Sequence, residues 1–360
     1  YQTLTRVFPA ALNKDLFPWL KTLYPIWAKL NPEALRLGTR LALAELLLSG
    51  CTTTSDHHYI FPSGLEKAID WQVEEAQLLG IRVVLCRGSM DRSQKDGGLP
   101  PDSVVQTSDE ILEDSERLIN KYHNSNDGAM TQIALAPCSP FSVSEEVMHE
   151  SSKLSKKHSV LLHTHLAETE DENSFCLDKM GCRPLDYLEQ VGWLTEQTWL
   201  AHGIHFSDTE IQRLGASKTG IAHCPSSNML LSSGVCRVPE LEKSGVPVGI
   251  GVDGSASNDT SNIMQEVRQA FLLQRLHHGS QVTHLTALGW ATEGGANVLR
   301  RPEIGRIKSG MQSDLALFKL DELRFSGHGD PLAALVICGA DRIALSPGLR
   351  SSVVRTERGG

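Results

Sequence analysis

Residues 159–168 have the sequence SVLLHTHLAE, in which an apolar run ends in His163, His165 and Glu168. A continuous apolar run of this length is typical of a strand buried in a parallel sheet. Because side chains alternate along a strand, His163 and His165 are predicted to share one face. Glu168 follows the strand end, where it can bend back over the same edge of the sheet. Neutral imidazole is the commonest metal ligand and a carboxylate can carry protons, so the stretch predicts a site of metal-dependent chemistry.

Six further segments share this pattern of a short apolar run that ends in polar residues. They begin at Gly50, Ile81, Thr131, Thr198, Thr219 and Val246. Helical patterns cover residues 32–49, 65–80, 108–123, 144–158 and 262–278. Ser108 and Ser144 are the predicted N-caps of two of these helices, since serine caps a helix well and acidic residues follow both. The alternation of strands and helices predicts a parallel sheet with right-handed crossovers.

The predicted fold class is α/β, as a (β/α)8 barrel of the TIM type over residues 1–300. Only seven strand patterns occur, whereas a closed barrel of this type has eight, so we expect the first strand to precede Tyr1. An open doubly wound sheet is the alternative, and it is disfavoured because no glycine-rich phosphate loop follows any strand. Residues 301–360 are predicted to form the C-terminal part of a small, incomplete β domain with an irregular tail.

Three other strand ends carry residues that can bind a metal, namely His202, His223 and Asp253. A metal at the mouth of a barrel draws its ligands from the ends of several strands. Taken alone, His163 and His165 are as well explained by a structural role in the barrel core. The combination of strand ends therefore favours a metal centre more strongly than any one motif does.

Composition limits the classes of ligand. Lys and Arg number 34 against 43 Asp and Glu, which gives a formal net charge of −9. A nucleic-acid backbone is bound by a basic face, so this charge disfavours nucleic acid as a partner. An enzyme of this charge that modifies nucleobases is expected to act on a free base. No apolar run is long enough to span a bilayer, and no signal peptide is recognisable. Eight cysteines without a CxxC pair predict free, largely buried thiols in a reducing, cytoplasmic compartment.

Signatures of several other catalytic classes are missing from the sequence. There is no GxSxG elbow, no P-loop and no HExxH motif. The compact zinc-deaminase pattern of HxE with PCxxC is also missing. His57 and His58 follow a predicted strand, but we favour a hydrogen-bonded structural role for them over metal ligation.

Four motifs resemble the amidohydrolase superfamily, in its cytosine/guanine deaminase and chlorohydrolase branch. They are HTHLAE (163–168), LAHG (200–203), HCPSSNM (223–229) and GVDGSASND (251–259). Within that branch, LFPWLKTLYPIW (16–27), GCTTTSDHHYIFP (50–62) and CRGSM (86–90) are most similar to deaminases of oxidised purines. The resemblance extends from Tyr1 to about Asp341 and implies a barrel hydrolase with a small β domain.

The resemblance also implies one divalent metal, most commonly zinc, bound by an HxH pair after the first strand, a histidine after the fifth and an aspartate after the eighth. Carried over, the metal ligands are His165 and Asp253, and the HxH pair is expected just upstream of Tyr1. The metal lowers the pKa of a water molecule, whose proton Asp253 accepts. His202 orients this water or serves as a ligand itself, Glu168 protonates the ring nitrogen, and Gln2 contacts the substrate.

The implied reaction is hydrolysis of 8-oxoguanine to uric acid and ammonia. Isoxanthopterin, guanine and cytosine are alternative substrates, and displacement of halide from a triazine is an alternative reaction. Glu168 favours deamination, because an amine needs a proton to leave whereas a halide does not. A metal-free scaffold is the non-enzymatic alternative, and the joint presence of His165, Glu168, His202 and Asp253 argues against it. The exposed helices of such a barrel are compatible with a homodimer.

Overall fold

The computed structural model describes residues 1–340, residues 342–343 and the backbone of residues 353–354. Its main unit is a curled sheet of seven strands that lie side by side in chain order. The strands are β1 (Thr53–His58), β2 (Arg82–Ser89), β3 (Thr131–Pro137), β4 (Leu162–Leu166), β5 (Thr198–His202), β6 (Gly220–His223) and β7 (Val248–Ile250). All neighbouring strands pair in parallel. The predicted α/β class and all seven predicted strands are confirmed.

Helices connect the strands and cover the outside of the sheet. Up to β4 they are α1 (Leu16–Trp27), α2 (Pro32–Leu48), α3 (Ala68–Leu79), α4 (Ser108–Tyr122) and α5 (Glu145–His158). From β4 to β7 they are α6 (Glu170–Met180), α7 (Pro184–Gln190), α8 (Asp208–Ser217), α9 (Pro225–Leu230) and α10 (Val238–Lys243). After β7 come α11 (Ser255–Asn258), α12 (Ile263–His278), α13 (His284–Gly289), α14 (Gly295–Val298) and α15 (Pro331–Ala334).

One of the two predicted N-caps is confirmed. Ser144 caps α5 by accepting a hydrogen bond from the backbone N–H of Val147. The prediction of Ser108 as an N-cap was wrong, because Thr107 fills that position in a capping box with Glu110. Helix α1 was not among the predicted helices. Its Pro25 lies inside the helix, and proline there masks the helical pattern in the sequence.

The two edge strands of the sheet, β1 and β7, border a cavity of about 640 Å³. Five of the six residues of β1 are only partly buried, whereas β2 is buried along its whole length. The cavity lining reaches from Asp253, beyond the carboxyl end of β7, to Phe318, which packs beside Gly50 just before β1. The cavity therefore extends from the mouth of the barrel towards its opposite end.

Beyond residue 300, the described chain forms a two-stranded antiparallel sheet of β8 (Leu315–Ala316) and β9 (Val353–Val354). Strand β9 lies in the tail that was predicted to be irregular, so that prediction was wrong for these two residues. The rest of the tail after residue 343 lies outside the described residues. A buried ion pair of 3.0 Å between Arg82 and Asp314 attaches the segment before β8 to the barrel.

All eight cysteines are free thiols. Five of them are buried, in agreement with the prediction of largely buried thiols, whereas Cys51 and Cys182 are partly buried and Cys338 is exposed. Among the residues that the structure describes, no helix has the length and apolar character needed to cross a membrane.

Candidate active site at the barrel mouth

His163 and His165 of β4 both line the cavity, with their ring centroids 5.9 Å apart. Nδ1 of His165 lies 2.7 Å from the carbonyl oxygen of Cys138, which can only accept a hydrogen bond. The proton of His165 is therefore on Nδ1, and the lone pair of Nε2 is left for a ligand. Burial and the neighbouring His202 lower the pKa of His165, which keeps the ring neutral.

His163 forms part of the barrel wall. Its Nδ1 lies 3.1 Å from the carbonyl oxygen of Trp199, and its ring stacks on the Trp199 indole at a centroid distance of 4.5 Å. Burial lowers the pKa of His163 to about 3, so this ring is also neutral. The two histidines of the HTH motif therefore share a face, as predicted, but differ in their surroundings.

Glu168 follows β4 after Ala167, whose backbone has the left-handed φ of 53°. Its carboxyl group is buried, with Oε1 accepting a hydrogen bond of 3.4 Å from the Ser233 hydroxyl. Oε2 lies 3.5 Å from Nε2 of His202. Burial and the nearby charge of Asp253 raise the pKa of Glu168 to about 8. This carboxyl group is therefore mostly protonated at neutral pH and can act as an acid.

His202 ends β5 with a φ of 72°, which is rare for a residue with a side chain. Its Nδ1 donates a hydrogen bond of 2.8 Å to Oδ1 of Asn228 in α9. Nδ1 therefore carries a proton, and Nε2 faces the site between Glu168 and Asp253. The distance from Nε2 to Oδ2 of Asp253 is 4.0 Å.

Asp253 lies just after β7, also with a left-handed φ, of 59°. Its Oδ2 accepts hydrogen bonds from the hydroxyl groups of Ser227, at 2.5 Å, and Ser257, at 3.1 Å. Burial opposes ionisation of Asp253, but His202, His165 and the Ser227 hydroxyl outweigh it and hold the pKa below its ordinary value. Asp253 is therefore a carboxylate at neutral pH, in contrast to Glu168.

Three of these groups fit a divalent metal. Ligand atoms of His165, His202 and Asp253 all lie within 4.8 Å of one another. Imidazole nitrogens combined with a carboxylate are a donor set that zinc accepts. Each of the three side chains is also fixed by an outer hydrogen bond, as is usual for metal ligands. The residues present therefore fit such an ion.

A second group of possible ligands, His57, Cys138 and His165, fits a metal poorly although its atoms lie within the same distance. The rings of His57 and His165 stack at 4.7 Å with an angle of only 12° between their planes. Burial raises the pKa of the Cys138 thiol to about 12, so this residue offers a protonated sulfur and not the thiolate that binds a metal. His57 instead hydrogen-bonds the carbonyl oxygen of Ala136 at 2.8 Å, in keeping with the structural role favoured for it.

His223 was expected to contribute to the mouth, and this expectation was wrong. It is buried but does not line the cavity, and its Nε2 lies 3.4 Å from the amide nitrogen of Gln274 in α12. Its neighbours Ala222 and Cys224 line the cavity instead. The alternation of β6 therefore directs His223 towards the helix layer.

Gln2 lies beside the loop that carries Asp253. Its Oε1 accepts a hydrogen bond of 3.2 Å from the backbone N–H of Ala256. A Cβ atom on Gly254 would lie 1.9 Å from this oxygen, so a side chain at this position would displace the Gln2 amide. Gln2 lines the same cavity as the other predicted site residues, His165, Glu168, His202 and Asp253.

Sequence reasoning missed the residues that hold these groups in place. Asn228, Ser227 and Ser257 lie within the quoted motifs HCPSSNM and GVDGSASND, so their position after strand ends was an available signal. Glu172, which accepts hydrogen bonds from the backbone of residues 167 and 168, had no such signal, since it lies inside an acidic helical turn.

The chain is similar in sequence and structure to known deaminases and to a hydrolase that binds zinc. The chain is 62% identical over 343 residues to 8-oxoguanine deaminase of Pseudomonas aeruginosa, a match that covers 95% of the chain and 76% of the relative. It is 34% identical over 361 residues to isoxanthopterin deaminase of an unknown prokaryotic organism, covering 94% of the chain and 74% of the relative. Among solved structures, it is similar to atrazine chlorohydrolase from Arthrobacter aurescens TC1 complexed with zinc, with a TM-score of 0.91 and 30% identity. That match covers 96% of the chain and 78% of the chlorohydrolase.

The sequence profile of the Amidohydrolase family matches residues 8–344. This range includes β1 to β7 together with four of the five predicted site residues, Gln2 being the exception. The chain therefore belongs to the amidohydrolase family.

Proposed function

We propose that this protein hydrolyses the exocyclic amine of a free oxidised purine, 8-oxoguanine, to give uric acid and ammonia. The observation that carries the reaction class is the arrangement of a protonated carboxyl group, Glu168, and an ionised one, Asp253, on either side of His202. Two carboxyl groups whose pKa values differ in this way are typical of an acid and a base in one active site. The choice of substrate rests on the similarity to 8-oxoguanine deaminase.

His165 and Asp253 would hold the metal, which we propose to be a single zinc ion. The HxH pair expected upstream of Tyr1 would supply two further ligands. When bound, such an ion lowers the pKa of a water molecule to near neutrality. His202 is close enough to join the ligands, but we assign it to the water, because its free Nε2 also faces Glu168.

The chain's own residues would then carry the protons. Asp253, ionised at neutral pH, accepts a proton from the water whose oxygen bonds to the amine-bearing ring carbon. Nε2 of His202 accepts a hydrogen bond from the same water and orients it. Glu168 protonates the adjacent ring nitrogen, and Asp253 returns its proton to the amine, so that the carbon–nitrogen bond breaks and ammonia leaves. As the carbonyl group forms, Glu168 takes the remaining proton of the added hydroxyl group, which restores both carboxyl groups to their starting states.

The walls of the cavity suit a planar heterocycle. Aromatic side chains of Trp19, Tyr59 and Phe141 line it together with the polar groups of the mouth. A flat ring offers its faces to such side chains and its edge to hydrogen-bonding groups. The amide of Gln2 can both donate and accept, which matches the alternating carbonyl and N–H groups on the edge of an oxopurine.

Two alternatives have specific support. Isoxanthopterin presents a similar amino-oxo edge, and a deaminase of that compound is 34% identical to the chain. Displacement of halide is supported by the similarity to the atrazine chlorohydrolase. Glu168 favours deamination over halide displacement, because its proton is needed by an amine that leaves.

The substrate assignment is tested by measuring ammonia release from 8-oxoguanine, guanine and isoxanthopterin with the full-length, metal-loaded enzyme. A site that pairs a carbonyl or N–H group rejects analogues that lack it, so kcat/KM should be highest for 8-oxoguanine and much lower for guanine. If guanine or isoxanthopterin is preferred by a factor of ten, about 1.4 kcal/mol, the substrate is wrong although the reaction class stands.

We also propose the broader assignments that the sequence suggested. Residues 1–300 would form the catalytic barrel, and residues 301–360 would belong to a small β domain. A cytoplasmic location, a homodimer and the lack of any nucleic-acid or membrane partner remain predictions.

A further inference from the structure

Glu172 is a buried acid that forms no ion pair within the described part of the chain. It lies in the first turn of α6 and is only 1% exposed. Among the described residues no lysine, arginine or histidine forms an ion pair with it. Buried carboxyl groups of this kind are uncommon, because burial of a charge is costly unless other groups compensate for it.

The compensating groups are two consecutive backbone amides. Oε1 of Glu172 accepts a hydrogen bond of 3.0 Å from the N–H of Ala167, and Oε2 accepts one of 2.9 Å from the N–H of Glu168. Both oxygens are therefore used on the two peptides that join β4 to Glu168. Burial raises the pKa of Glu172 to about 8, and a carboxyl group whose two oxygens both accept N–H groups fixes the position of both peptide planes.

The segment held by Glu172 needs such support, because Ala167 has a left-handed backbone. Its carbonyl oxygen accepts hydrogen bonds of 2.9 Å from the backbone N–H groups of Ile204 and His205, beyond β5. The turn is thus fixed from β5 through a carbonyl group and from α6 through two N–H groups. It is this turn that brings the Glu168 carboxyl group to 3.5 Å from His202.

We infer that Glu172 is a positioning residue, which holds the Ala167–Glu168 turn so that the Glu168 carboxyl group faces His202 and the reacting ring. The inference rests on the proposed role of Glu168 as the proton carrier. Misplacement of a catalytic group by about 1 Å can reduce a rate by roughly 10²-fold, so a small shift of this turn has a large effect on turnover.

The test uses Glu172→Gln and Glu172→Asp in the full-length, metal-loaded enzyme. Glutamine keeps one acceptor oxygen but turns an NH2 group towards a backbone N–H, and aspartate is too short to reach both peptides. We expect kcat to fall about 10- to 100-fold in both variants, with little change in KM or bound zinc. Asp171→Asn is the matched control, since Asp171 lies in the same helical turn but is exposed, and kcat should stay unchanged.

A double-mutant cycle with Glu168→Gln separates positioning from general stability. If Glu172 acts through Glu168, Glu172→Gln should lower kcat in the wild-type background but hardly at all in the Glu168→Gln background. An equal loss in both backgrounds overturns the inference, as does normal kcat with only a lower melting temperature. It is also overturned if neither Glu172 variant folds, because the role is then structural. Near-normal turnover of Glu168→Gln alone would instead refute the proposed role of Glu168.

Discussion

Buried charged groups have different partners at the two ends of the barrel, namely the mouth and the opposite end, where the strands begin. Before the strands begin, opposite charges pair directly, with Arg82 bound to Asp314 at 3.0 Å and Arg301 bound to Glu303 at 2.6 Å. At the mouth, the buried Glu168 has no lysine or arginine beside it among the described residues. Its partners are a serine hydroxyl and an imidazole.

Left-handed backbone occurs at both ends of the barrel, since Ser159 and Lys218 adopt it where helices end before β4 and β6. At the mouth it occurs at Ala167, His202 and Asp253, each at or within three residues of the end of a strand. Such conformations are costly and persist where the surrounding structure enforces them, often at functional sites. What distinguishes the two ends is therefore the buried charge: arginine–carboxylate pairs lie at one end, and carboxyl groups without a lysine or arginine partner lie at the end proposed to carry the chemistry.

The largest change in free energy is expected from Glu303→Gln, at the end of the barrel opposite the mouth. This change leaves the buried Arg301 without its ionic partner, and such a loss costs about 3–5 kcal/mol of unfolding free energy. Turnover of the molecules that remain folded should change less than about twofold, since no proposed step involves Glu303. Urea unfolding and active-site-normalised kcat measure the two quantities.

Glu293→Gln is the control for this change. It breaks the exposed pair of Glu293 with Arg306, for which a cost below about 1 kcal/mol is expected. If both variants lose the same unfolding free energy, the buried ion pair does not stabilise the fold more than the exposed one.

Glu168→Gln should change the activation free energy of the reaction, by less than Glu303→Gln changes the free energy of unfolding. The amide cannot deliver a proton, so kcat should fall by at least about 10²-fold, or about 2.7 kcal/mol, while zinc stays bound. Stability at neutral pH should not fall, because the wild-type group is already mostly neutral there. Glu170→Gln, on an exposed neighbour, should leave kcat unchanged. Near-normal turnover of Glu168→Gln would reduce Glu168 to a structural carboxyl group.

The pH profile of the same pair of enzymes gives a second measurement. Burial and Asp253 raise the pKa of Glu168 to about 8, so the acid form is present below that pH and is lost above it. Wild-type kcat should therefore fall on the alkaline side, and the residual activity of Glu168→Gln should lack this fall. Since the folded-state pKa is raised, wild-type stability should decrease relative to the variant as the pH rises from about 4.5 towards 8.

Residues that follow strand ends were predictable from the sequence, because the carboxyl ends of parallel strands meet at one edge. That argument placed His165, Glu168, His202 and Asp253 around one cavity. It was wrong for His223, since a strand end located to within one residue does not decide which face a side chain takes.

Other features could not be predicted from the positions of the strand ends. Glu172 accepts hydrogen bonds from the backbone of Ala167 and Glu168, and such backbone contacts have no recognisable sequence pattern. The same holds for the capping of α4, where two adjacent residues, Thr107 and Ser108, were both chemically suited to the N-cap.

The smallest effect is expected from the neutral partners of Asp253, and it tests whether the mouth is held by many weak contacts. Oδ2 accepts hydrogen bonds from both Ser227 and Ser257, so removal of one hydroxyl leaves the other. A typical hydrogen bond contributes about 0.5–1.5 kcal/mol, which predicts a roughly 2- to 12-fold weaker zinc affinity for Ser257→Ala. Ser227→Ala should lie at the upper end of that range, because its bond of 2.5 Å is shorter than the 3.1 Å bond of Ser257. Competition with a chelator measures the affinity, and unfolding should barely change. A loss of stability as large as that of Glu303→Gln would show that the mouth depends on single contacts as much as the opposite end does.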